Sequence, residues 1–113
     1  MKNIILMLVL LCGFSSNAQS KNKNAKYSVE VNGNCDMCKK RIEKAAYAVS
    51  GVKSAVWHID DHMLHLIINE EKASVNQVKQ AVAKVGHDAE NLKATDEDYA
   101  KLHGCCLYKR SAD

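Results

Sequence analysis

Between Tyr27 and Arg41 the hydrophobic pattern changes period, and two cysteines stand at the change. Tyr27, Val29 and Val31 alternate as on a strand; Cys38, Ile42, Ala45 and Val49 follow the spacing of a helix face. A strand therefore ends, a short loop from Gly33 carries Cys35, and a helix opens near Cys38. Thiols at a helix N-terminus face unpaired N–H groups and the positive end of the dipole, which favour thiolate over thiol. Lys39, Lys40 and Arg41 oppose that dipole, so a negative object at the site would give them a purpose. A thiolate pair holding a soft cation is such an object.

The pattern continues in the same grammar. Helix one is expected from Asp36 or Met37 to Ser50, capped by Gly51. Val52 to Ile59 and Met63 to Asn69 read as a hairpin, with Ala55, Trp57 and Ile59 on the same buried face as Leu64, Leu66 and Ile68. Ser74-Val75-Asn76-Gln77 is a capping box that opens a second helix along Val75, Val78, Ala81, Val82 and Val85, ended by Gly86. His87 to Lys93 reads as a short fourth strand. Thr95-Asp96-Glu97-Asp98 then opens a further helix, Asp96 to His103, stopped by Gly104. This βαββαβ order predicts an α+β ferredoxin-like sandwich, an antiparallel sheet with both helices on one face, plus a short C-terminal helix.

The ends of the chain are of another kind. Lys2, the apolar run Ile4 to Leu11 and the small residues Ser16-Asn17-Ala18 have the form of a secretory signal peptide over residues 1–18. The run is shorter than the roughly 20 residues of a spanning helix. Leu11 before Cys12 is bulky for a lipid-attachment site, so Cys12 is expected to leave with the signal and no membrane insertion to follow its removal. The product would be exported, to a periplasm or beyond. Residues 19–26 form a polar, basic leader, 27–93 the domain, and 94–113 the C-terminal helix with a Cys-Cys tail.

Charge narrows the partners. The formal net charge is only +3, too small to imply nucleic acid. It is polarised, however: residues 19–44 carry seven Lys or Arg against three acids, and 86–98 carry five acids against one Lys. No phosphate-binding loop, activated serine or framed carboxylate pair is present, so the chain is not expected to be an enzyme.

Cys35-x-x-Cys38 after strand one, Gly51-Val52 between helix one and strand two, and Gly86-His87-Asp88-Ala89 after helix two together resemble the heavy-metal-associated domain family. That family includes copper chaperones, the metal-binding domains of copper-transporting ATPases and the periplasmic mercury-binding protein. The resemblance covers about Tyr27 to Leu92. It implies that Cys35 and Cys38 bind one soft ion in a surface loop and release it to a partner by ligand exchange. The partner would be a metal-transporting ATPase or another copper protein with an acidic docking face, met by Lys39, Lys40 and Arg41. The chain departs from the family pattern in two places: the loop before Cys35 lacks the usual methionine, and His87 stands where Tyr or Lys is common.

Each site residue has a plainer reading beside this one. Two thiolates suit Cu(I), which accepts near-linear coordination, with Hg(II), Zn(II) and Cd(II) as rivals in a detoxification role. Cys35 and Cys38 could also be a thiol–disulfide exchange pair, although no proline is present for the usual cis-Pro loop. A structural disulfide between them would close a very small loop and gain little. Cys105 and Cys106 can hardly bridge one another; they join the Cys35/Cys38 site or form a soft-metal site of their own with His103, or else they tie the C-terminal helix to the domain by a disulfide or are exposed thiols oxidised on export. His87 is a solvated loop residue or a third ligand. His58 and His65 face each other across the hairpin as solvated residues or a surface metal pair. The Lys39–Arg41 run is a solvated helix end or a docking surface. A monomer and a metal-bridged dimer are both compatible.

Overall fold

The computed structural model describes residues 21–110. The expected signal segment 1–18, the first residues of the expected leader and the last three residues lie outside them. Three strands form one antiparallel sheet in the order β1-β3-β2: β1 is Ala25–Glu30, β2 Val52–Trp57 and β3 Met63–Ile68. Helix α1, Asp36–Tyr47, links β1 to β2; α2 is Val75–Lys84 and α3 the short Asp96–Ala100. A 3-10 turn, Gly104–Cys106, follows in the tail. The architecture is the ferredoxin-like sandwich that the sequence pattern predicts.

The register brings Leu64 opposite Val29 and Trp57, and Leu66 opposite Tyr27 and Ala55. Period-two alternation then turns Val29, Ala55, Trp57, Leu64, Leu66 and Ile68 to the helices, where they join Ile42, Val78 and Val82 in one core. Each large side chain of this set contributes about 1.5–3 kcal/mol by leaving water. Ser74 and Gln77 close the capping box of α2 in both directions, at 3.3 and 2.9 Å.

Several boundaries differ from expectation. Strand one starts two residues earlier than Tyr27, and the leader's last residues are tied in, since Asn22 accepts a hydrogen bond from the Glu70 N–H. Ile59 lies beyond the end of β2 and is 42% exposed, because the chain turns at Asp60 and Asp61 and His62 takes a left-handed φ of 61°. His65 pairs with Val56 rather than with His58; the two imidazoles still meet edge to face on the open side of the sheet, 4.9 Å between centroids. Helix one ends at Tyr47, and α3 stops at Ala100.

The expected fourth strand is reduced to a bridge. The Asn32 N–H reaches Asp88 O and the Glu90 N–H reaches Glu30 O, pairing Val31 with Ala89. The chain then doubles back: Ala89 and Leu92 exchange both backbone bonds around Asn91, whose φ is 61°. Asparagine tolerates that conformation, so a turn forms where the strand would have continued.

Candidate metal centre

Gly33 shapes the loop that presents the site. A Cβ there would lie 3.1 Å from both Cys38 Cβ and the Trp57 ring, so only glycine lets the backbone pass between them undisturbed. Trp57 is held in place by its indole N–H, which donates to Val31 O at 2.9 Å and to His62 O at 3.2 Å. Cys35 follows as the N-cap of α1 in extended conformation, and Cys38 turns inward from the first helical turn.

The sulfurs meet. Cys35 Sγ lies 3.3 Å from Cys38 Sγ, all as free thiols. It also lies 3.3 Å from Cys106 Sγ, which the 3-10 turn brings across 71 positions of sequence. Cys105 Sγ is 3.8 Å from Cys106 Sγ and 3.4 Å from the thioether of Met37. The Sγ atoms of Cys35, Cys105 and Cys106 all fall within 4.8 Å of one another. Cys38 and Cys106 are fully buried, Cys35 is half-buried and Cys105 is exposed.

Environment separates the two members of the Cys-x-x-Cys pair. Burial pushes the Cys35 thiol up, but the backbone N–H of Cys38, the thiols of Cys38 and Cys106 and the N–H of Met37 outweigh it and bring Cys35 down to about 7. Cys38 goes the other way: burial dominates and pushes it up to about 12, although its S–H has Asn34 Oδ1 at 3.3 Å. The helix start therefore favours thiolate at Cys35 alone, where the sequence pattern suggested both. Cys105 is also raised, first by its thiol neighbour Cys106.

His87 is buried, not solvated, and stacks on Tyr108 with 5.5 Å between centroids. Its Nδ1 is 2.8 Å from Asn32 O. A carbonyl can only accept, so Nδ1 carries the proton and Nε2 keeps its lone pair. That Nε2 is buried and has no hydrogen-bond partner. Burial first, then the nearby Arg41 charge, lowers the His87 pKa and keeps the ring neutral. His103 is exposed and stands outside the sulfur group, its carbonyl accepting the Cys106 N–H.

The basic run divides by role. Lys39 Nζ bonds Glu43 Oε2 at 2.7 Å and Trp57 O at 2.8 Å, and Glu43 accepts the Trp57 N–H as well, so this lysine ties α1 to β2. Arg41 is half-buried, with Nη1 unpartnered; Lys40 is the exposed member.

The tail that carries Cys105 and Cys106 is anchored by residues that the sequence reading passed over. Tyr108 donates its hydroxyl to Gly86 O and accepts from the Asp88 N–H, at 2.9 and 2.8 Å. Arg110 grips both oxygens of buried Asp88, at 3.0 and 2.8 Å, and also bonds Ala94 O and Asp96. Gly86, at φ 101°, has no room for a Cβ beside Asp98 O and Leu102, so α3 packs directly on it. Tyr108 and Arg110, an aromatic and a charged residue in an otherwise unpatterned tail, were the available signal.

A cysteine cluster at the strand–helix junction of a ferredoxin-like sandwich defines a soft-metal-binding domain. No family model matches the chain. It is 33% identical over 61 residues to the copper chaperone CopZ of Staphylococcus haemolyticus, which covers 53% of this chain and 90% of the relative. The N-terminal domain of a potential copper-translocating P-type ATPase from Bacillus subtilis, in its Cu(I)-loaded state, superposes with a TM-score of 0.57 at 31% identity, covering 65% of this chain and 92% of that one. Oxidized MerP from Ralstonia metallidurans shares the fold, with a TM-score of 0.57 at 22% identity over 59% and 94% of the two chains. The chain belongs to the heavy-metal-associated domain family.

Proposed function

We propose that the protein is an exported carrier of monovalent copper, which holds the ion between Cys35 and Cys38 and passes it on by ligand exchange. One observation carries this reading most: two free thiols 3.3 Å apart at a helix N-terminus, one of them poised as thiolate at neutral pH, in a chain similar to copper chaperones. The ionised Cys35 binds first. Cys38 then gives up its proton to solvent as the ion replaces it, because a bound cation offsets the burial that holds the thiol neutral. Transfer reverses the order, with a partner thiolate displacing one cysteine at a time.

A basic partner face would suit an acidic acceptor. Lys40, Arg41, Lys44 and Lys84, with Met37 and Leu102, line an open groove of about 700 Å³ beside the thiols. Likeness to an ATPase metal-binding domain makes a metal-transporting ATPase the natural acceptor. Lys39, committed to Glu43 and Trp57, would contribute mainly by holding α1. Export rests on the signal-like residues 1–18. Among the described residues no helix is long and apolar enough to cross a membrane.

A second reading is zinc or cadmium binding in detoxification, favoured by the additional sulfurs, since a tetrahedral ion wants four ligands. Native mass spectrometry of the exported protein, with thiol counting, separates the readings. Copper with free thiols otherwise accounted for supports the carrier. Zinc or cadmium in its place supports the second reading. Metal-free protein with a Cys35–Cys38 disulfide and insulin-reductase activity would indicate thiol–disulfide exchange instead.

A further inference from the structure

A partner must reach the ion it takes, and in this fold Cys38 and Cys106 are both fully buried. Among the described cysteines only Cys35, half-buried, and Cys105, exposed, are open to solvent. The consecutive residues Cys105 and Cys106 face opposite ways from one 3-10 turn: Cys106 inward to Cys35 at 3.3 Å, Cys105 outward to the Met37 thioether at 3.4 Å, itself 45% exposed. We propose that the C-terminal turn completes the metal site, Cys106 adding a third sulfur to Cys35 and Cys38, and that Cys105 with Met37 is the outer soft-ligand pair through which the ion enters and leaves.

The distances suit this arrangement. Three sulfurs around an ion at about 2.3 Å are about 4 Å apart. The Cys35–Cys38 and Cys35–Cys106 separations are somewhat shorter, so along these two edges the sulfurs need only part slightly to admit an ion. The Cys35, Cys105 and Cys106 sulfurs, mutually within 4.8 Å, give an entering ion a triangle on its way in. The turn is fixed before any ion arrives: Tyr108 and Arg110, just after it, are bonded to Gly86 and Asp88 beside the site. Ligands already in place avoid the ordering entropy of a loose tail. Three thiolates around one monovalent cation carry excess negative charge. The Arg41 guanidinium on the next turn of the same helix is half-buried with Nη1 unpartnered.

The exchange balances without redox chemistry. An incoming ion forms a bond to Cys105 sulfur as its bond to a donor thiolate breaks. It then forms bonds to Cys35, Cys106 and Cys38 as the Cys105 bond breaks. Each thiol that becomes a ligand gives its proton to solvent, each departing thiolate regains one, and the ion stays monovalent throughout.

This inference rests on the soft-ion reading above, and its test is chosen to separate the two. The full mature chain is reduced, loaded with one equivalent of Cu(I), and studied by X-ray absorption at the copper edge. The expected result is three sulfur neighbours in the wild type and two in C106S, with an affinity about tenfold or more weaker in competition with bicinchoninate. C105S keeps the wild-type coordination number, and its copper passes to an excess of glutathione about tenfold more slowly. Two sulfur neighbours in the wild type, a measurement that needs no variant, would overturn the three-sulfur site and leave the Cys35–Cys38 carrier standing. Wild-type transfer rates in C105S would overturn the port. Failure of the wild type to retain copper would overturn the carrier reading itself.

Discussion

At the scale of single residues, one sulfur is set apart from its neighbours. Cys35 is the N-cap of α1, held to about 7 by amide and thiol hydrogens, while Cys38, three residues on, is pushed up to about 12 by burial. In reduced, metal-free protein at pH 7.5, iodoacetamide should therefore modify Cys35 first, with Cys38 and Cys106 protected. Because the thiolate is the nucleophile, its rate should fall about tenfold per unit below pH 6. Peptide mapping checks both; labelling of Cys38 ahead of Cys35 would contradict the assignment. Gly33 is the other decisive residue. Gly33→Ala puts a methyl group 3.1 Å from Cys38 Cβ and the Trp57 ring, and should cost about 1–3 kcal/mol of stability. Trp57 fluorescence during urea unfolding reports it.

At the scale of elements, the tail and the loop after α2 form one unit through Asp88 and Arg110. Burial alone would raise the Asp88 carboxyl, but the Arg110 guanidinium and the Ala94 N–H outweigh it and hold it below the usual range. A depressed carboxylate contributes stability that is present above its unfolded pKa of about 3.9 and lost as pH falls through its folded value. Arg110→Ala should therefore destabilise the fold by about 3 kcal/mol at pH 7, toward the lower end for a buried pair because Arg110 keeps some exposure. The deficit relative to wild type should narrow below about pH 4 as Asp88 protonates. A deficit that stays constant from pH 7 to 3 in thermal unfolding would contradict this. Local signals made most elements legible: the capping box at Ser74, the alternation through Leu64–Ile68, and the helix start at Cys35. The fourth strand was not, because Asn91 in a left-handed turn and the Asp88–Ala94 bond end it at a single bridge. The tail clasp was not, because its pairs lie 14 to 22 residues apart and have no periodicity.

At the scale of the whole molecule, the fold gathers thiols from both ends of the described chain at one edge and leaves Lys40, Lys44 and Lys84 around a groove beside them. Cys35 and Cys38 were legible as a pair from their spacing together with their place where the strand pattern gives way to a helix. That Cys105 and Cys106 join them was one of several open options, and which of the two turns inward was not legible, since nothing local in His103-Gly104-Cys105-Cys106 says how a 3-10 turn will dock. If the groove docks an acidic acceptor, Lys40→Glu should slow copper transfer to an acidic metal-binding domain. Raising salt from 0.05 to about 0.5 M should slow the wild type likewise, while affinity for the ion stays unchanged. Transfer rates that ignore both changes would argue against electrostatic docking. The central claim is tested most directly by titrating Cu(I) into the reduced protein against a Cu(I) chelator. The account predicts one tightly held ion per chain, lost in the Cys35→Ser, Cys38→Ser double variant. No competition with the chelator, or unchanged binding in that variant, would contradict it.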